Sequence, residues 1–241
     1  MRICSILLIC LSMASCSHRT PGGLWSDPEL DAARLSGGII VGGVVDLTAE
    51  LDLFEQQQDA ELLHTALESE RPGLAVGGWG DARAALDPDS LDAILADYRF
   101  SGRLSANHLR QLAVLADQAR YIALARIDLD QTNWNYPRRV RETTDRTVVD
   151  LEPESRRKIS LLFDLYDLGL SRLAYTIPLE RTGVEHGSTY TVEGINTVPT
   201  ETEVRNAIEE LHRASDRPDP ADRGNLVGAM LREAVKHLPA D

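Results

Sequence analysis

Hydrophobic positions along this chain change their period twice, and the changes divide it into a helix-rich first half, a strand-rich middle and a helical end. Ile39-Ile40-Val41-Gly42-Gly43-Val44-Val45 is a β-branched run bounded by glycine, the composition of a strand buried on both faces. Its paired glycines predict close approach by a neighbouring helix. From Glu50 to Arg71 the apolar positions Leu51, Phe54, Leu62, Leu63, Ala66 and Leu67 sit among good helix formers, and Pro72-Gly73 ends the helix. Leu74-Ala75-Val76 starts a second short strand, which makes a β-α-β unit with parallel strands and a right-handed crossover. Asp87-Pro88 opens a helix through Leu91, Ile94, Leu95 and Tyr98 that Gly102 closes. Ser105 opens another, with Leu109, Leu112, Ala113, Leu115 and Ala116 on one face.

Tyr121 to Ile127 is apolar at nearly every position and reads as a central strand. From Ile159 the period becomes two. Ile159, Leu161, Phe163 and Leu165 point one way, with Ser160, Asp164 and part of Tyr166 the other. Beyond Asp167-Leu168-Gly169-Leu170, Leu173, Tyr175, Ile177 and Leu179 alternate with Arg172, Ala174, Thr176 and Pro178. This predicts an antiparallel hairpin with one solvated face, and Pro178 puts its second arm at a sheet edge or strand end. Helical patterns near Glu201 to Ala214 and Ala221 to Leu238 close the chain, separated by the turn-prone Asp216-Arg217-Pro218-Asp219-Pro220. The expected class is therefore α/β: a mixed sheet, β-α-β at the start and an antiparallel hairpin later, flanked by helices, with C-terminal helices.

The N-terminus follows a different logic. Arg2 precedes an apolar run from Ile3 that is too short to span a membrane, and small residues lead to Cys16. Leu11-Ser12-Met13-Ala14-Ser15-Cys16 resembles the lipobox of bacterial lipoproteins, with Met13 the less usual choice. The resemblance implies that Cys16 becomes the acylated first residue of the mature chain, palmitate among its acyl groups, and more than one acyl chain is what stable anchoring needs. Ser17 in place of aspartate then favours the outer membrane. The expected organisation is a signal peptide over 1–15, a lipidated flexible tether over 16–38 rich in Pro and Gly, an α/β core over 39–182, and a C-terminal loop and helices over 183–241 packing on that core.

Composition narrows the partners. The only cysteines are Cys4, Cys10 and Cys16, so a mature chain beginning at Cys16 has neither a disulfide nor a cysteine metal site. A net charge of -13 argues against nucleic acid and against an anionic lipid surface as binding partners.

Chemistry is sparse. The sequence has no G-x-S-x-G and no S-x-x-K, and its six histidines form no H-E-x-x-H. Glu185-His186 is a loop pair more often solvated than metal-binding, and the glycine pairs match no nucleotide-binding spacing. Asp128 and Asp130 share a strand face at its exit, where charge commonly solvates an end. No catalytic residue, cofactor or metal is expected.

The least ordinary segment is Gln131 to Arg157. There Trp134, Tyr136, Arg138, Arg139 and Arg141, followed by Arg146, Arg156 and Arg157, stand in an acidic chain. Arginine with aromatics is the composition of protein interfaces, and the first five residues are the partner-binding candidates. The alternative is a further strand from Thr143 to Leu151, its arginines paired to Glu142, Asp145 and Glu152 on the wet side.

The order of elements from Ile39 to Thr182, with the strand Ala119-Arg120-Tyr121 and the hairpin residues Leu165-Tyr166-Asp167-Leu168, resembles the group of envelope lipoproteins that includes the curli-secretion lipoprotein and the penicillin-binding-protein activators. Arg120 stands where that group has an aspartate, and Asp167-Leu168-Gly169 is one residue shorter. The resemblance brings no catalytic residue. Together these features point to a noncatalytic lipoprotein, anchored in the outer membrane with its domain in the periplasm, that binds an envelope protein as an assembly factor or regulator. A homo-oligomeric secretion pore is the second reading, and an envelope hydrolase using dispersed carboxylates the third.

Overall fold

The β-branched run and the long apolar stretch at Tyr121 become neighbouring parallel strands at the centre of a mixed sheet. The computed structural model describes residues 23–144, 146–194, 198–213 and 217–240. The lipobox with Cys4, Cys10 and Cys16, the tether residues 16–22, Asp145 and Asp216 lie outside the described residues. In chain order the strands are β1 (Trp25–Ser26), β2 (Ile39–Asp46), β3 (Val76–Gly77), β4 (Tyr121–Asn135), β5 (Arg138–Glu142), β6 (Thr147–Leu151), β7 (Glu154–Asp167), β8 (Arg172–His186) and β9 (Tyr190–Glu193). The helices are α1 (Ala32–Leu35), α2 (Leu53–Glu70), α3 (Trp79–Ala85), α4 (Pro88–Ser101), α5 (Ala106–Leu112), α6 (Glu201–Arg213) and α7 (Arg223–Lys236).

Two sheets result, one in the order β1-β8-β7-β4-β2-β3 and a smaller one in the order β5-β6-β9. β2 runs parallel to β3 and β4, and every other pairing is antiparallel. The expected α/β class, mixed sheet and C-terminal helices are all present. The chain leaves β2 through α2 to β3 on one side, then crosses by α3, α4 and α5 to β4 on the other. The carboxyl ends of β2 and β4 therefore form a switch point, where open α/β sheets leave a crevice.

Local chemistry explains the helices. Asp87 caps α4 by accepting from the Ser90 amide at 3.2 Å, Pro88 takes the first turn, and Gly102 ends the helix at φ 67°. The Arg126 guanidinium packs against Gly102, and a Cβ there would have to displace it. Asp87→Ala is expected to cost about 1 kcal/mol, read as a lower urea midpoint with an unchanged slope. In β2 the register against β4 shifts between Val41 and Gly43, and a Cβ on Gly42 would lie within 2.8 Å of Ile122 and Leu124 side-chain atoms. Gly43, at φ 142°, faces Leu95 of α4 and Trp79 of α3, the close helix approach that the glycine pair predicts.

Three elements depart from the sequence reading. The tether expected over 16–38 is folded from Gly23 onward: β1 extends the β8 edge, Asp27 donates its amide to the Ala174 carbonyl at 2.8 Å, and Leu30 and Leu35 are buried in the main core. Two leucines at short spacing anchor a segment whose glycines and prolines read as linker. The hairpin β7–β8 has no solvated face at its closed end, because Asp164 and Tyr166 are buried. Tyr98 of α4 donates to Asp164 at 2.9 Å on one side of the sheet, while Tyr175 donates to the Ala234 carbonyl of α7 at 3.3 Å on the other. Local alternation cannot register a helix that arrives from 66 residues away. Third, β4, β7 and β8 run well past the expected limits and form a three-stranded arm. At its tip β5, β6, β9 and α6 enclose a second small core of Val149, Leu151, Val192, Val204, Ala207 and Leu211.

Candidate functional site

The switch-point crevice is a cavity of about 860 Å³ between the loop after β2, α2, the middle of β4 and β7, and the start of α7. Asp46, the last residue of β2, is buried. One of its carboxylate oxygens accepts from the Thr48 amide and hydroxyl, both at 2.7 Å, and from the Ala49 amide at 3.2 Å, which fixes the loop. The other accepts from Arg223 at 3.0 Å. Arg223, in the first turn of α7, also makes two parallel bonds of 2.8 Å to Asp59 of α2. Asp130 of β4 is gripped in the same way by Arg157 of β7, at 2.8 and 2.6 Å, and its second oxygen lies 3.4 Å from Arg223 Nε.

This network ties two strands of the main sheet and the β7 hairpin to both helices on that face. Burial works against the Arg223 charge, but hydrogen bonds and attraction from Asp59 and Asp46 outweigh it and hold its pKa above the ordinary value. Every oxygen of Asp46, Asp59 and Asp130 is engaged inside the chain. Around them Glu55, Glu61 and Asp222 also line the cavity, so its rim is acidic. Chemically the crevice presents neutralised carboxylates and a negative border. Among the described residues no group of three or more His, Cys, Asp or Glu is placed to hold a metal ion.

The aromatic and arginine candidates lie further along the arm, beginning two residues beyond Thr132 of the crevice. Trp134, the penultimate residue of β4, donates its indole N–H to the Pro218 carbonyl at 3.2 Å, and the Arg217 guanidinium sits 4.3 Å from its ring centre. Tyr136 packs edge-on against His212 at 5.0 Å and beside the second core. Its hydroxyl is buried with no hydrogen-bond partner among the described residues, and burial raises its pKa. Arg138 bridges to Glu201 of α6 at 2.8 Å, and Arg141 makes paired bonds of 2.8 and 3.1 Å to Asp150 on the adjacent strand. Arg139 and Val140 are exposed between them, Val140 by 67%.

Asp150 shows what this pairing does. Hydrogen bonds from Arg141 and then Thr191 lower its carboxyl from 3.8 to about 2. A depressed pKa adds stability above the unfolded value and forfeits it as pH falls through the folded one. The tip should therefore loosen between about pH 4 and pH 2. Arg141→Met is expected to remove that part of the acid dependence, read from thermal midpoints across the window. Asp128 and Asp130 sit within the lengthened β4 rather than at its exit. Arg126 takes Asp128 at 2.5 Å, and Asp130 joins the crevice network.

The sequence marked the tip but not the crevice. The crevice is assembled from single aspartates and arginines spread from Asp46 to Arg223, with no spacing to announce it. The local signals were Asp46 closing a buried strand, since strand ends are where open sheets place sites, and Asp130, singled out as a strand-face acid without its partner Arg157.

No protein-family model matches this chain, and the search among curated proteins matches nothing. Among solved structures, the chain is similar to a PelC dodecamer from Paraburkholderia phytofirmans, at 12% identity over 90% of this chain and 96% of that one, with a TM-score of 0.40. It is also similar to the lipoprotein GNA1162 from Neisseria meningitidis, at 10% identity over 74% and 97% of the two chains, with a TM-score of 0.29.

Proposed function

We propose that this chain is a noncatalytic envelope lipoprotein, acylated at Cys16 and held at the outer membrane, whose domain binds another envelope protein at its distal tip. The observation that carries the reading is the short distance from the lipobox cysteine to folded structure. Six residues separate Cys16 from Gly23, so a fully extended link spans at most about 25 Å. Anchored there, the domain stays beside the bilayer, with the second sheet carried at the end of the arm. The tip offers Arg139 and Val140 on the outer strand of a small sheet, flanked by Arg138 and Arg141, which suits an acidic partner surface with an apolar centre.

One feature bears on the noncatalytic reading and a second speaks against the pore. A general acid or base needs an oxygen free to reach substrate, and the three crevice aspartates spend theirs on Arg223, Arg157 and the β2 loop. The hairpin that would have to supply membrane strands for a pore, β7–β8, is committed at its closed end to the centre of the main core.

The test is to extract the full chain gently from its own membranes and identify what comes with it, beside Cys16→Ala and an Arg139→Glu, Val140→Asp variant. A defined envelope protein that is lost in the tip variant, with an unchanged thermal midpoint, is the expected result. Capture that persists in the tip variant moves the contact elsewhere, and turnover of an envelope polymer by the purified chain refutes the noncatalytic reading. Replacing Trp134 and Tyr136 instead is expected to lower the thermal midpoint, because both are packed within the chain.

A further inference from the structure

Among the described residues, the outer side of β8 is an open sheet edge along the arm. β1 pairs with β8 at Tyr175 and Thr176, the Asp27 amide donates to the Ala174 carbonyl, and Gly23 lies against Pro178; beyond Pro178 no described strand pairs with the outer side of β8 down to His186. Glu180, Arg181, Thr182, Val184, Glu185 and His186 are all exposed along it. A free edge of this length is a template for another strand.

The charges on this edge are arranged about a centre. Arg181 and Glu185 point to the same face, and neither forms an ion pair with another described residue. Four residues apart in a strand, about 13 Å, they cannot reach each other. Gly183 lies midway, and a Cβ there would meet Ala221 at 2.5 Å, so the centre bears no side chain. On the opposite face Glu180, bridged to Lys158 at 2.9 Å, and His186, opposite Glu154, flank Thr182 and Val184 at equal distances from the centre.

We propose that this edge pairs antiparallel with the same edge of a second copy, about a twofold axis through Gly183. That register sets Arg181 against Glu185 of the second copy and the reverse, Glu180 against His186, and Thr182 against Val184. Arg181 and Glu185 then face each other as opposite charges and Thr182 faces Val184 as a β-branched pair, both pairings that stabilise a sheet. A twofold pairing keeps each residue on its own face, so the register moves only in steps that bring Arg181 opposite Gly183 or Gly187 and lose the ion pair. A dimer formed this way joins two main sheets into one and leaves both tips free. It does not rest on the partner-binding reading, since the tip residues take no part.

The experiment is the concentration dependence of mass for the full chain in mild detergent, by native mass measurement and sedimentation. Wild type should be dimeric. Arg181→Glu and Glu185→Arg should each weaken association about tenfold or more, and the double reversal should restore it to within about threefold, with thermal midpoints of the monomers unchanged. A monomer at every concentration, with both reversals silent, overturns the proposal. So does an assembly larger than two that survives both reversals, or a different protein lost on reversal.

Discussion

Arg223→Ala should be the most damaging single change in the described domain, lowering stability by about 3 to 5 kcal/mol. The guanidinium is the only described cation on Asp59, and it closes Asp46, whose side chain is 1% exposed. Removing it leaves two carboxylates buried beside Asp130 with no counter-charge, and like charges in a poor solvent repel strongly. Most of the loss is thus the penalty on the abandoned acids rather than the worth of the pair. Two companions separate the terms. Arg223→Lys supplies the charge without the planar fork and should recover only part of the loss. Arg223→Met combined with Asp59→Asn removes charge on both sides and should be markedly more stable than Arg223→Ala. Urea unfolding measures all three, and equal stability of the first and last would show that the buried charge is not the cause.

Asp164→Ala is expected to cost about 2 kcal/mol, because Tyr98 then has no acceptor in a site closed to water. Thr176 on the neighbouring strand loses its side-chain bond as well. Asp164→Asn keeps an acceptor of the same shape and should stay near wild type. The pH dependence adds a sign. Burial, resisted by hydrogen bonds from Thr176, Tyr98 and Tyr166, raises the Asp164 pKa above 3.8. The folded protein favours the protonated acid, so this stabilising contribution is full below the unfolded pKa and is lost as pH rises through the folded one. Wild type should therefore gain on Asp164→Asn as the solution is acidified from neutrality. A gap that is flat with pH would mean that the carboxyl does not titrate in this range.

Much of the main sheet could be read in advance because its signals are local. The Asp87-Pro88 start and Gly102 stop of α4, the Ser105 cap of α5 and the glycine pair of β2 each act within a few residues. What was missed depends on distance along the chain. Asp164 looked solvated because its cover, Tyr98, comes from another element. The segment from Gly23 looked like linker because its two anchoring leucines show no period. Arginines at the tip stood out as a cluster, yet sequence cannot say that Arg138 has Glu201 and Arg141 has Asp150. The crevice was the least legible, since charge pairing between β2, α2, β4, β7 and α7 exists only after folding.

The central claim is the anchor, and the measurement that meets it most directly is the intact mass of the mature chain purified from its own membranes, with the N-terminal peptide sequenced by fragmentation. The account predicts a first residue at Cys16 bearing several acyl chains, and a chain released from the membrane fraction when Cys16→Ala replaces it. A mature N-terminus elsewhere, or an unmodified Cys16 on a chain that stays with the membrane, would contradict it.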